Sequence, residues 1–296
     1  ACKSGETKVV KLLLVHCNPE DSGLNVKDED GRTAFMWACG KGHKDVVKLL
    51  LNHTQRMVKR IEVNAKDNNG WTAFMWACFY GDTYVVKLLL DLSKIDLNAR
   101  SNHGFTAFIL ACNNGHKDVV QLLLNHSNSY IDLNAGNNRG RTAFMEACRR
   151  RHKDVVKLLL DLSHLNIELN ARDDRGLTAL MWACYHGCTD VVELLLDHSE
   201  RIELNARDNS GGTAFMWACY NGHKDVVQLL LYHSERIDLN ARSNSGRNSF
   251  MVACLRGRKD VVKLLLEYSE VVDINFPESF HLSEEIENLI EFHSMP

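Results

Sequence analysis

The segment Thr-Ala-Phe-Met begins at Thr33, Thr72, Thr142 and Thr213, and near-copies open at Thr106 (Thr-Ala-Phe-Ile), Thr178 (Thr-Ala-Leu-Met) and Asn248 (Asn-Ser-Phe-Met). Successive starts are 39, 34, 36, 36, 35 and 35 residues apart. A second block, Val-Val-x-Leu-Leu-Leu, begins at Val9, Val46, Val85, Val119, Val155, Val191, Val226 and Val261, and from Val46 on it follows each start by 13 residues. A unit this short cannot bury its own apolar face, so a chain with this period must stack neighbouring units into a continuous core.

Within a unit the pattern predicts two short helices. The hydroxyl of Thr33 suits an N-cap, accepting from the free N–H groups of the first turn. Ala-Phe-Met-Trp-Ala-Cys forms the first helix, and Gly42 ends it in a left-handed turn. Asp45 opens the second helix, where a carboxylate meets the positive end of the dipole. Val46, Val47, Leu49, Leu50 and Leu51 wrap more than one face, so that helix must be covered from more than one side. The tract Asn64–Gly70 (Asn-Ala-Lys-Asp-Asn-Asn-Gly) is turn chemistry between units.

The unit Asp28-Glu29-Asp30-Gly31-Arg32-Thr33 … Ala38-Cys39 … Gly42-His43-Lys44-Asp45-Val46-Val47-Lys48-Leu49-Leu50-Leu51 resembles an ankyrin repeat, and essentially the whole chain follows it. The resemblance implies an all-α fold, an ankyrin-repeat solenoid of stacked helix-turn-helix units with β-turn fingers. Residues 1–24 are expected to be a truncated first repeat contributing its second helix, 25–270 seven repeats, and 271–296 a degenerate C-terminal capping half-repeat. Ala1-Cys2-Lys3-Ser4-Gly5 aligns with Ala38-Cys39-Gly40-Lys41-Gly42, as if the chain were cut from a longer array. At the other end Ile286, Leu289 and Ile290 give a last helix one apolar stripe, with Glu287, Asn288 and Glu291 outside. The family's Thr-Pro-Leu-His signature is altered: Ala34 replaces the proline and Met36 the histidine, so packing is expected to replace a Thr–His hydrogen bond.

Composition excludes several classes. The chain has 35 Lys plus Arg against 38 Asp plus Glu, a net charge of −3, which gives no footing for general nucleic-acid or membrane-surface binding. No apolar run approaches the roughly 18 residues of a membrane span. Of the ten cysteines, eight follow an alanine (Cys2, Cys39, Cys78, Cys112, Cys148, Cys184, Cys219, Cys254), one per repeat. Equivalent positions in stacked helices lie about 8–10 Å apart, beyond the ~7 Å reach of a disulfide. They read as buried free thiols of a reducing compartment, cytoplasmic or nuclear. That context makes the glycosylation sequons Asn52-His53-Thr54 and Asn125-His126-Ser127 coincidental. No phosphate loop or Gly-x-Ser-x-Gly elbow occurs. The recurring Cys39/His43 spacing offers two ligands per unit where structural zinc takes four, so no metal and no cofactor is expected.

An enzyme assembles unlike residues at one place, whereas this chain repeats like residues along a line. It is therefore expected to be a non-enzymatic scaffold binding another protein or an extended peptide. The alternative is a regulatory or targeting portion of a larger enzyme, ubiquitin-ligase adaptor or channel. The resemblance places partner contacts on a concave face lined by finger tips and first helices. The tips carry Arg32, Trp71, Phe105, Arg141, Leu177, Gly212 and Arg247; the residue after the signature Met position is Trp37, Trp76, Leu110, Glu146, Trp182, Trp217 or Val252. The candidate binding residues are Trp71, Trp76, Phe79, Tyr80, Phe105, Trp182, Tyr185, Trp217 and Tyr220, with Arg139, Arg141, Arg149, Arg150 and Arg175 as a cluster for an acidic or phosphorylated segment. Arg151 stands where other repeats have glycine, which predicts a strained left-handed residue. Asn98, Asn134, Asn170, Asn205 and Asn240, preceded by Asn64, resemble ankyrin asparagines that accept hydroxylation; the competing expectation is that their amides bond turn backbone.

Overall fold

A computed structural model describes residues 1–16, 23–54, 61–126, 131–162, 166–277 and 282–294, without the side chains of Thr54 and 292–294. Cys17, Ser127 and most of the long connection after Asn52 lie outside the described residues, as does the Thr54 side chain of the first sequon. The chain forms two compact units, Ala1–Ala143 and Phe144–Pro296. Both are built from helix pairs, and among the described residues there is no strand, only an isolated bridge between Lys27 and Thr33. The fold is an all-α helical-repeat solenoid.

The first unit begins with α1 (Thr7–His16) and continues through the pairs α2 (Ala34–Gly40) with α3 (Lys44–Thr54), α4 (Ala73–Tyr80) with α5 (Thr83–Leu90), and α6 (Ala107–Asn113) with α7 (Lys117–Asn125). First helices pack on first helices, α2 on α4 on α6, and second on second, α1 on α3 on α5 on α7. α8 (Ala143–Arg149) starts at the last residue of this unit. The second unit continues with α9 (Lys153–Asp161), α10 (Ala179–Tyr185), α11 (Thr189–Asp197), α12 (Ala214–Asn221), α13 (Lys224–Tyr232), α14 (Ser249–Leu255), α15 (Lys259–Glu267) and α16 (Glu284–Ser294). It repeats the two rows, α10 on α12 on α14 and α9 on α11 on α13 on α15, with α16 against α15.

The caps form where the hydroxyls were expected. Thr33, Thr72, Thr106, Thr178 and Thr213 each accept from the N–H three residues on at 3.2–3.4 Å, and Asn248 does so with its amide oxygen at 2.9 Å. Met36 stands in the altered signature, and its sulfur accepts the Thr33 N–H at 3.5 Å, a weak substitute for a histidine ring. The core follows from the pattern. Phe35, Phe74 and Phe108 in one unit and Phe144, Phe215 and Phe250 in the other are fully buried, as are the paired valines of the second helices that follow them. Each such side chain contributes about 1.5–3 kcal/mol by leaving water. In α1 the same valine–leucine block leaves Val9, Leu12, Leu13 and Val15 exposed, while Val10 and Leu14 are buried. α16 buries Ile286 and pairs Glu285 with Lys259 at 2.7 Å.

The left-handed turn after each first helix is a glycine, as at Gly81 (φ 78°), except in the fifth repeat, counting the partial one as first, where Arg151 has φ 64°. Its guanidinium meets Asp190 at 2.9 Å on the surface. The cysteines among the described residues are free thiols, and those of the first helices from Cys39 onward are buried. Burial pushes Cys78, Cys112 and Cys184 far above the ordinary thiol range and Cys254 up to about 12.

Candidate binding surface

Each finger is closed by one side chain nine residues before the position that follows the signature Met. In the third repeat Asp67 Oδ1 accepts the N–H groups of Asn69 (2.9 Å) and Trp71 (2.8 Å), and its Oδ2 accepts the indole N–H of Trp76 (3.0 Å). Asp28 with Trp37, Asp173 with Trp182 and Asp208 with Trp217 repeat the arrangement, with indole bonds of 2.7, 3.1 and 2.8 Å. The Trp37 bond and the backbone N–H groups of Arg32 and Asp30 hold the Asp28 carboxyl below its ordinary range. Where the finger residue is Ser101, Asn137 or Ser243, the partner position is Leu110, Glu146 or Val252. At this position tryptophan thus occurs only opposite aspartate. The reason is that a carboxylate has a second oxygen for the indole, whereas a seryl hydroxyl is spent on the turn, as Ser101 Oγ is on the Phe105 N–H at 3.0 Å. The nine-residue co-occurrence was visible in the sequence and is the signal that reading residue positions one column at a time misses.

The tryptophans are therefore both clamps and surface. In the third repeat Trp71 and Trp76 lie 4.5 Å apart, Phe79 stands edge-on to Trp71 at 5.1 Å, and Tyr80 stacks on Trp76 at 5.9 Å. Trp71, Trp76 and Phe79 are half-buried and Tyr80 is exposed, so the four predicted anchors form one cluster. Arg32, which was not among the candidates, lies between Trp37 (4.7 Å) and Trp76 (4.5 Å), and Lys3 lies over the outer face of Trp37 at 4.3 Å. Cation–π contacts of this kind contribute about 0.5–2 kcal/mol each. Phe105 is half-buried on the next tip.

In the second unit Trp182, Tyr185, Trp217 and Tyr220 run as a chain of rings 5.3–5.6 Å apart. Trp182 differs from the others: only 8% of it is exposed, so its contribution to any surface is an edge. Arg175 lies over Trp217 at 5.6 Å and Arg256 over Tyr220 at 4.4 Å.

The predicted arginines are divided. Arg139 and Arg141 belong to the first unit, Arg149, Arg150 and Arg175 to the second. Arg149 is committed: its Nε and Nη2 donate to the same Glu146 oxygen at 2.9 and 2.7 Å, and Glu146 is fully buried. Arg139, Arg150 and Arg175 are exposed.

The asparagines span repeats. Asn170 donates to the Arg201 carbonyl (2.9 Å) and accepts from Glu203 N–H (2.9 Å). Asn64, Asn205 and Asn240 make the same pair of bonds to the following connection, and Asn98 accepts from Asp132 N–H at 2.9 Å. Asn134 lies at the equivalent place in its repeat. Asn64, Asn170, Asn205 and Asn240 thus each hold the following connection through two inter-repeat hydrogen bonds. The histidines of the Gly-His turns are likewise occupied: His116 Nε2 sits 2.8 Å from the Phe79 carbonyl and His223 Nε2 2.9 Å from that of Tyr185. Among the described residues no group of three or more His, Cys, Asp or Glu could hold a metal ion, and no helix is long and apolar enough to cross a membrane.

Comparison with known proteins gives repeat-length likenesses. One stretch of 39 residues is 54% identical to osteoclast-stimulating factor 1 of Monopterus albus, covering 13% of this chain and 18% of that protein. Acyl-CoA-binding domain-containing protein 6 is 43% identical over 47 residues in Bos taurus (16% of this chain, 14% of that protein) and 57% over 30 residues in Homo sapiens (10% and 11%). The chain thus spans less than a fifth of the length of these curated relatives. The family model for ankyrin repeats, in three copies per match, fits residues 1–101, 52–137, 93–173, 128–208, 161–243 and 200–277 in overlapping matches. With capped helix pairs, β-turn fingers and a match that runs from residue 1 to 277, the chain belongs to the ankyrin-repeat family.

Proposed function

We propose that the chain is a non-enzymatic scaffold that binds another protein, or an extended peptide of one, through its finger tips and first helices. Ankyrin repeats are protein–protein interaction modules. The observation that carries the reading here is the Trp71–Trp76–Phe79–Tyr80 cluster, large rings left half-buried or exposed when the same chain buries its six first-helix phenylalanines and Leu180 almost completely. Exposed aromatic clusters mark interaction sites, and Trp, Tyr and Arg dominate binding hot spots. A rigid stack presents them at low ordering cost. The exposed arginines favour an acidic or phosphorylated partner segment, and the unpaired cysteines favour a reducing compartment, cytoplasm or nucleus.

Affinity capture with the wild type and with Trp71→Ala plus Tyr80→Ala tests this. A partner should be retained by the wild type and lost about 30-fold or more by the double variant, with unchanged melting temperature. Identical capture by both proteins overturns the assignment of the anchors. The charge component is read on Arg139→Glu, Arg150→Glu and Arg175→Glu, because Arg149 is held by Glu146. A second reading has the array as the regulatory or targeting part of a larger enzyme, ubiquitin-ligase adaptor or channel. Its support is the likeness to acyl-CoA-binding domain-containing protein 6, whose name records an acyl-CoA-binding domain and of which the match covers 14%. The full-length reading frame decides between them.

A further inference from the structure

At the finger tip of the seventh repeat stands Gly212, where other repeats carry Arg32, Trp71, Phe105, Arg141, Leu177 or Arg247. Its backbone conformation does not require it, although a Cβ here would lie 3.0 Å from Asp208 Oδ2. The left-handed residue is the preceding Gly211 (φ 78°), and Gly212 itself lies outside the left-handed region. One position away in the stack, Val252 occupies the place that four repeats give to tryptophan. The two small residues leave an open pocket of about 300 Å³, walled by Met216, Trp217, Tyr220 and Val252 and rimmed by the finger residues 243–245 and Arg247. That volume is at the lower end of ligand pockets, about 300–1,000 Å³.

The charge around the pocket is one-sided. Arg247 is exposed, and among the described residues its guanidinium makes no ion pair or hydrogen bond; only its backbone is used, its N–H bonded to Ser243 Oγ and its carbonyl accepting the Ser243 N–H. Arg256 lies over the Tyr220 wall and Arg175 over Trp217. The carboxylate at this finger, Asp208, is buried and accepts from Ser210 N–H, Gly212 N–H and the Trp217 indole. All of these donors are neutral, and among the described residues no ion pair joins Asp208 to Arg247, Arg175 or Arg256.

We infer that this pocket takes one bulky apolar side chain of an acidic peptide, with a neighbouring Asp or Glu carboxylate pairing to Arg247. The inference rests on the scaffold reading above and adds to it a place, a side-chain class and a charge. A planar guanidinium pairs a carboxylate in bidentate fashion. An apolar anchor in a pocket ringed by polar contacts is the usual form of a binding hot spot.

The test is selection from a positional-scanning peptide library on the full chain, as wild type, Gly212→Leu and Arg247→Glu. Gly212→Leu fills the pocket with the residue that Leu177 already places at the equivalent tip. Arg247→Glu is on an exposed side chain and keeps the test valid if the leucine disturbs folding. The wild type should enrich peptides with Leu, Phe, Met or Trp beside Asp or Glu. Both variants, with unchanged melting temperature, should weaken the best peptide at least tenfold. Enrichment of basic or purely polar peptides, or the same consensus selected by both variants, overturns the inference. If that surviving consensus is instead lost with Trp71→Ala, the scaffold reading stands and the pocket assignment fails; no enrichment by any protein counts against both.

Discussion

The aspartate–tryptophan pair can be cut where it is most buried. Asp173 and Trp182 are 7% and 8% exposed and joined at 3.1 Å, and Asp173 Oδ1 also accepts Arg175 and Leu177 N–H, both at 2.9 Å. Trp182→Leu removes the indole donor from a buried carboxylate, about 1.5–3 kcal/mol for a hydrogen bond to a charged group. It also removes packing, so the single change should cost about 3–5 kcal/mol. Asp173→Ser keeps an oxygen for the turn but strands the indole N–H, at about 1–3 kcal/mol. The double variant installs the pair that the fourth repeat already uses, Ser101 with Leu110. Neither polar group is then orphaned, and the double change should cost about 1–3 kcal/mol less than the sum of the singles. Urea unfolding of the four proteins, followed by far-UV circular dichroism, gives the coupling. Additive losses would show that the nine-residue co-occurrence has no energetic basis.

Other perturbations follow from single positions. Arg151→Gly relieves a left-handed arginine, about 1 kcal/mol, and gives up an exposed ion pair with Asp190 worth less; urea midpoints should rise, and a fall would locate the stability in the ion pair. Because burial raises the helix thiols above their ordinary 9.0, the folded chain keeps protons that the unfolded chain releases. Stability should therefore be full below about pH 9 and drop above it, by up to about 1.4 kcal/mol per pH unit for each thiol, and Cys78→Ala with Cys112→Ala should lessen the drop in unfolding curves at pH 7 and 10. Leu12→Ser on exposed α1 should change the melting temperature little, whereas Leu89→Ala, fully buried on α5, should cost about 2–5 kcal/mol; equal losses would contradict the burial pattern.

What the sequence reveals depends on whether a residue acts within its own column of the repeat. Caps, buried phenylalanines, glycine turns and the strained Arg151 are dictated by position in the unit, so the period alone places them. Arg149 on Glu146 is a local i, i+3 pair and was equally legible. The Arg32 sandwich joins the tip of one repeat to first-helix rings of its own and the next, and the asparagine bonds cross to the following connection. Such contacts depend on how repeats are stacked and rotated, which composition and spacing do not specify. The pocket at Gly212 was hidden for a further reason: it arises from side chains that are missing, and a tip column read for its aromatics passes over a glycine.

Loss of the aspartate–tryptophan pair also decides where the surface is open. In the eighth repeat the pair has become Ser243 and Val252, and it is Val252 that leaves the far wall of the pocket low. Val252→Trp alone would place an indole N–H opposite a hydroxyl: Ser243 Oγ sits 3.3 Å from the Arg247 N–H and 3.0 Å from Ser245 Oγ. Adding Ser243→Asp supplies the second oxygen that four other repeats use. The double variant should therefore unfold at higher urea than Val252→Trp, by about 1–3 kcal/mol. It should also fill the pocket and lose selection of acidic, apolar-anchored peptides. Val252→Trp as stable as the double variant would mean that the indole needs no carboxylate. Undiminished peptide selection by the double variant would mean that the gap beside Gly212 is not where the peptide sits.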